Sequence, residues 1–475
     1  MKKWMIRALS ALLIAAFLPL SVLADEYDLN EGSVTVSTTK GADGSTQQNV
    51  THKENTKPDS NPIITSKGAP TDKTITINAG AGTTANVTIK DANISASSGK
   101  AAIKTGGEGN VNLNVEGTNT VSSGSNYAGV EKANAGNLTI GSESGSGELT
   151  ANGGWHGAGI GGGHYRDAND ITITGGEVTA NGGDGAAGIG GGYYSYGKDI
   201  TISGGKVVAN GSGSAAGIGG GHYGNGSNIT ISGGEVTATG GDYGAGIGGG
   251  YYGNGSNITI SGGEVTATGG DCGAGIGGGY GRGGSNIAIS KDSQVEAVGG
   301  AVGGAGGSSD GCGAAIGNGG NNNRVNGSEI EPDTSGLYTT GKVERKHGNG
   351  TVLDTITGTV DPSAKPASSE EEPDKREPLY RVLNLDGSSL KHQAQKADGV
   401  LALTAKANGA ILTGTLRALG YLQNQGIEKI TFTDGTHSAE LVLAELIAKG
   451  QPEDVYVLTL GAANTLTLNG EAIDF

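Results

Sequence analysis

The sequence predicts an all-β fold: a right-handed parallel β-helix with three short strands per ~29-residue rung, followed by a small C-terminal α+β domain. Three observations carry this. The phrase Ala-Gly-Ile-Gly-Gly-Gly, or a near copy, places Ile at 160, 189, 218, 247 and 276, always 29 residues apart. Within each unit the apolar residues alternate with period two: Ile258 and Ile260 share a face, Val265 and Ala267 another, and Ala274 and Ile276 a third, while Thr259, Thr266 and Thr268 point away. Finally, 94 of 475 residues are Gly and only 3 are Phe and 2 Trp, too few large apolar groups for a layered globular core. A unit of this kind cannot bury its apolar face alone, whereas stacked units can.

At the N-terminus, Lys2, Lys3 and Arg7 precede the apolar stretch Ala8–Leu20, and Val22-Leu23-Ala24 forms a small-residue cleavage site. Residues 1–24 therefore read as a secretory signal peptide, and the expected location is secreted or cell surface. Removing these three cations from the 31 basic residues, against 47 acidic ones, leaves a mature charge of -19. That balance repels nucleic acid and anionic lipid. No transmembrane segment is expected in the mature chain. Residues 25–71, polar and rich in Ser, Thr, Asn and Lys, read as a loosely ordered leader, and the β-helix is expected over 72–332.

Within the helix, the strand openings at Asn86, Asn110, Asn137, Asp170, Asp199, Asn228, Asn257 and Asn286 predict a column of side chains bonding from rung to rung at one corner. Cys272 lies four residues before Ile276, and Cys312 four before Ile316. The two cysteines thus share a position on adjacent rungs roughly 5 Å apart, which predicts a disulfide in an exported chain.

Candidate chemistry is sparse. The Gly-Ala-Gly-Ile-Gly-Gly-Gly phrase contains the dinucleotide-binding spacing, but a strand follows it where that motif needs a helix. Gly307-Ser308-Ser309-Asp310-Gly311 matches a nucleophile elbow only in letters, inside a Gly-rich insertion. The seven His lack metal-ligand spacing. Asp184, Asp242 and Asp271 form a one-sign ladder, read as solvated corners, with Ca²⁺ the one possible cofactor; the metal ligands are not assigned. No catalytic set is assigned.

One surface feature stands out. After each Gly triplet comes an aromatic pair: His164-Tyr165, Tyr193-Tyr194, His222-Tyr223, Tyr251-Tyr252, then Tyr280 alone. On a rung pitch of ~4.8 Å these residues form two columns along the axis. Sugars stack on aromatic faces, so the columns are the expected ligand-binding residues for an extracellular polysaccharide. Ring-on-ring stacking over Gly-rich corners is the alternative.

Residues 333–378 comprise an exit segment and a charged Pro/Ser linker, Pro362 to Pro378. Residues 379–475 form the small α+β domain: strands at 379–385, 427–433, 455–460 and 465–468, helices at 412–425 and 436–449, and a turn at Asn469-Gly470.

The repeat GAGIGGGYYGNGSNITISGGEVTATGG resembles those of secreted or surface proteins of gut Firmicutes. More distantly, its Ile-Thr-Ile-Ser-Gly-Gly and Asn pattern is similar to right-handed parallel β-helix proteins, including pectate-lyase-like and clostridial carbohydrate-binding domains. The resemblance covers about 72–332 and implies a secreted carbohydrate-binding protein. The Ca²⁺-binding acidic cluster and Arg base of pectate lyases have no match in this chain. A structural or adhesive surface protein is the alternative function, and a polysaccharide lyase or hydrolase the third.

Overall fold

The structure, a computed structural model, describes residues 25–301, 312–320, 326–360 and 380–473, apart from 387, 389, 398, 425–426 and 451–453. The expected signal peptide, the elbow-like 307–311 segment and the charged linker lie outside the described residues. The chain divides into two compact units, with the division between Ala364 and Lys365.

The first unit is a right-handed parallel β-helix. Its strands form three sheets of ten, twelve and eleven strands, each sheet taking one strand per rung. One rung runs through Gly226–Ile231, Glu235–Thr239 and Ile247–Gly248 before the next begins at Gly255–Ile260. The rungs stack in register: Ile229 opposite Ile258, Val236 opposite Val265, Ile247 opposite Ile276. Ile229, Ile231, Val236, Ala238 and Ile247 are all buried, so the interior is a column of Ile, Val and Ala. Full burial of each Ile or Val is worth about 1.5–3 kcal/mol, which a thin but long core multiplies by rung number.

Glycine sets how closely the rungs approach. Gly248 has φ +135°, and a Cβ there would sit 2.0 Å from the carbonyl oxygen of Gly277 on the next rung. Only a residue without Cβ fits that corner.

Residues 25–71 correct the expectation of a loose leader. Glu26–Asp28, Val34–Lys40 and Ile63–Thr65 join the stacked sheets, with Val34 opposite Ile75 and Ile64 opposite Ile89. Tyr27, Leu29, Val34, Val36, Val50 and Ile64 are buried. The inward apolar residues are outnumbered by Thr, Ser and Asn pointing outward, so average composition hid the alternation. The antiparallel hairpin Thr46–His52 with Asn55–Pro58 closes one sheet at this end. At the other end Lys342–Lys346 adds in parallel to a different sheet, the eleven-stranded one, and Val352–Thr357 closes it antiparallel. Such caps remove open sheet edges that would pair with another chain. Arg345, nearly buried, is held there by Asp354, Glu331 and Glu329.

The corner column forms in the regular rungs: Asn228 donates to Asp199 (2.9 Å), Asn257 to Asn228 (3.0 Å) and Asn286 to Asn257 (3.0 Å). Asn86 belongs elsewhere. It lies opposite Asn112, whose amide donates to it at 2.9 Å, while Asn110, Asn137 and Asp170 share the main column. Cys272 and Cys312 form a disulfide, with Cα atoms 4.4 Å apart and Ile276 opposite Ile316.

The second unit has two sheets, of five and four strands, and two short helices. The helix expected at 412–425 begins only at Leu416, because Ala410–Thr415 is a strand pairing with Val455–Leu460. The helix expected from Thr436 is instead the hairpin Lys429–Thr433/Ser438–Val442, with Leu443–Ile447 as the helix. Asp434 causes this. Its carboxylate accepts the N–H groups of Thr436, His437 and Gly409, so the Asp-Gly pair closes a turn between strands. The Asn469-Gly470 turn forms as expected, both residues having positive φ.

Candidate functional site

The short Ile-Gly strand of each rung is followed by a tight Gly-rich turn that carries the aromatic pair. The two columns form, but they differ in environment. His164, Tyr193, His222, Tyr251 and Tyr280 make the inner column, half-buried or buried. Tyr165, Tyr194, Tyr223 and Tyr252 make the outer one, 69 %, 46 %, 43 % and 39 % exposed.

The outer tyrosines sit in the left-handed backbone region, with φ between 52° and 59°; one rung further the position is filled by Gly281 at +66°. A bulky residue in that region costs about 1–2 kcal/mol relative to relaxed backbone, and such outliers point to a constraint at the site. Tyrosine is held four times where glycine would fit with less strain.

Ring geometry explains part of this. Tyr194 and Tyr223 stack at 5.3 Å and 4°, Tyr223 and Tyr252 at 5.8 Å and 12°, Tyr165 and Tyr194 at 5.7 Å and 21°. At one end His164 lies face-on to Tyr165 at 4.0 Å; at the other Arg282 lies 5.8 Å from the Tyr252 ring centre and donates to the Tyr252 carbonyl at 3.1 Å. The outer rings therefore cover one another's faces and offer solvent their edges. The ring-on-ring stacking named above as the alternative is thus present in the outer column.

Inner rings meet the outer ones edge-on, as Tyr193 does Tyr194 (4.4 Å, 88°) and His222 does Tyr223 (4.3 Å, 87°). Burial, then the neighbouring hydroxyl, pushes Tyr193 up to about 12, and the same causes act on Tyr251 through Tyr252. Burial also lowers His222 and His156, so both rings are neutral at pH 7. His156, outside the expected pairs, stacks on Tyr193 at 4.2 Å. Tyr243 likewise packs against Tyr251 and Tyr280, beside the disulfide.

Sequence reasoning missed Glu131. It lies opposite Gly161, in the corner position that later rungs give to glycine, and is wholly buried. Its Oε2 accepts the Ala128 N–H at 3.0 Å, and Arg166 approaches Oε1 at 3.8 Å. Burial pushes this carboxyl up, against the Ala128 N–H and the cations Arg166 and Lys104. The carboxyl is enclosed beside Ala128 and Gly163, next to the turn that carries His164 and Tyr165. Val130-Glu131 at the Ile-Gly position was the available signal.

Asp242 and Asp271 are neighbours on the acidic ladder, and Asp271 is raised by burial and then by the Asp242 charge. Among the described residues no three His, Cys, Asp or Glu are placed to hold a metal ion. No helix among them is long and apolar enough to cross a membrane.

Comparison with known proteins agrees with this geometry. A family model described as a beta helix repeat matches residues 144–164, 171–193, 200–222, 229–251 and 258–280. No curated protein and no solved structure gives a significant match. Each matched segment after the first ends on a member of the inner column, Tyr193, His222, Tyr251 or Tyr280, and the first ends on His164. The matched segments are the rungs that carry the aromatic columns, and the scaffold of the site is a parallel β-helix with a Tyr-rich face.

Proposed function

We propose that this chain is an exported carbohydrate-binding β-helix that engages an extended extracellular polysaccharide along its aromatic face. The observation that carries the reading is the outer column. Four tyrosines are kept at a strained corner, aligned by a rigid stack, with their edges exposed in rung register. Phenol edges and hydroxyls repeating along one axis suit a polymer of hydroxyl-bearing units better than a compact ligand. A disulfide between rungs agrees with an oxidising location. The distant likeness to carbohydrate-binding β-helices points the same way at the level of fold.

The test is a glycan array probed with the full chain, with and without Ca²⁺. Binding that is lost when Tyr194, Tyr223 and Tyr252 are replaced by Ala supports the reading. Absence of any glycan bound, or binding indifferent to the triple replacement, refutes it. A second reading, a structural or adhesive surface protein, is favoured by one observation: the outer rings cover one another's faces. In that case the triple variant is destabilised and no glycan is captured by either protein.

A further inference from the structure

Beside the outer column, two residues on along each rung, lies a groove of 380 Å³ lined by Asn225, Ser227, Asn254, Ser256 and the 283–285 segment. Its residues repeat in register: Ser227 opposite Ser256, and Ser256 opposite Ser285. The Asn side chains are fixed by their oxygens. Asn225 accepts the Asn254 N–H at 2.8 Å, and Asn254 accepts the Gly283 N–H at 3.2 Å. This turns each amide NH₂ away from the backbone without a hydrogen-bond partner among the described residues, and the three serine hydroxyls also lack one. The groove thus offers a row of unused donors and acceptors, and no ionisable side chain lines it.

One rung before Asn225, in the same column, stands Tyr196. Its backbone is pinned on both sides, its N–H by Asp167 at 2.8 Å and its carbonyl by the Ala168 N–H. The side chain is 48 % exposed, and it makes no ring contact, unlike the four tyrosines of the outer column. In the rungs of Tyr223 and Tyr252 this corner reads Asn-Gly-Ser, and in the rung after them Gly283-Gly284-Ser285.

We infer that the Ser/Asn groove, together with Tyr196 one rung before it, is a subsite for an uncharged sugar segment. The inference rests on the carbohydrate reading above and deepens it. The sugar's C–H face lies on the Tyr196 ring, and its hydroxyls meet Ser227, Ser256 and the two Asn amides. An array of neutral donors selects neutral sugars over uronates or sulfated sugars, since a carboxylate or sulfate would enter an uncharged groove on a strongly acidic protein with no cation in the lining to meet it. Of the cations beside the groove, Arg282 is engaged by Tyr252, and Lys198, opposite Ser227 on the preceding rung, lies outside the lining.

The test is affinity electrophoresis of the full chain against neutral polysaccharides (a glucan, a mannan, a galactan) and anionic ones (a polyuronate, a sulfated galactan). The native chain is expected to be retarded by a neutral polymer only. Tyr196→Ala should weaken retardation roughly 3- to 10-fold, the range of one lost aromatic contact. Asn254→Asp keeps the acceptor for the Gly283 N–H, loses the NH₂ donors, and should weaken it by about tenfold. Thermal unfolding of both variants checks that the fold is kept, and Ser256→Ala offers a milder second probe of the groove. Retardation by anionic polymers alone would overturn the inference. So would full binding by Tyr196→Ala and Asn254→Asp while the Tyr194, Tyr223 and Tyr252 triple variant loses it, an outcome that leaves the carbohydrate reading standing. Failure of the native chain to bind any polymer would overturn both.

Discussion

Tyr223 is the residue whose replacement separates strain from stacking. It stacks on Tyr194 and Tyr252 and meets His222 and Tyr251 edge-on, at 5.3, 5.8, 4.3 and 5.5 Å. Four ring pairs at the low end of their range, ~0.5 kcal/mol each, give about 2 kcal/mol beyond simple area burial. Tyr223→Ala loses that stabilisation and keeps the left-handed backbone, φ 59°. Tyr223→Gly loses the same contacts but relaxes about 1 kcal/mol of strain. The expected losses are therefore about 2 kcal/mol for Ala and about 1 kcal/mol for Gly, read from urea unfolding followed by tyrosine fluorescence. Stacked repeats need not unfold in one step, so the comparison is made at the transition that the Tyr signal reports. If Tyr223→Gly is as stable as the native chain, the stack does not hold the corner and this reasoning fails.

Three further outcomes follow from the same structure. Tyr193 and Tyr251, pushed up to about 12 by burial and by their hydroxyl neighbours, should ionise well after ordinary tyrosines in an alkaline absorbance titration. Because their folded values are raised, the stability they contribute is complete below about pH 10 and declines as pH rises from 10 through 12; two inner tyrosines titrating near 10 in the folded protein would contradict this. Replacing Cys272 and Cys312 by Ala should lower stability by up to about 4 kcal/mol, the loop-closure value for a 40-residue separation. Peptide mapping without reduction should recover the two cysteines joined. Gly248→Ala, with its Cβ 2.0 Å from the Gly277 oxygen, should prevent stable stacking, whereas Gly44→Ala, with nothing within 4 Å, should cost about 1 kcal/mol through its positive φ alone. Thermal unfolding distinguishes the two.

Much of the architecture was legible from residue order. The constant spacing of Ile160 to Ile276 and the alternation in Ile258–Ile260 demand stacked rungs, and the Cys offset demands their adjacency. What stayed hidden has physical reasons. Residues 25–71 lack the 29-residue period, so their buried Val34, Val36 and Ile64 were masked by polar neighbours of opposite facing. Asn86 shares its neighbours' residue type but sits two positions off their column, a difference only register reveals. At Thr436 a helix-cap pattern competed with an Asp-Gly turn, and the backbone N–H groups gathered by Asp434 decided for the hairpin. The aromatic columns could be placed from spacing, yet their consequence could not: a ring on every rung implies that faces are occupied. Tyr196 falls outside the repeated aromatic pairs, so residue order alone gave no reason to place it beside the columns. The signal for Glu131 was weak: its Val130-Glu131 pair stands at the Ile-Gly position but 30 residues before Ile160, one off the constant spacing.

The central claim is that the ligand is an extended glycan lying along successive rungs, and chain-length dependence tests it most directly. Isothermal titration of the full chain with a ladder of defined oligosaccharides, from whichever polysaccharide the array selects, should show affinity rising with length until the chain spans the rungs from Tyr165 to Tyr252, then levelling. Affinity already at its limit for a mono- or disaccharide, or no heat at any length, would contradict it.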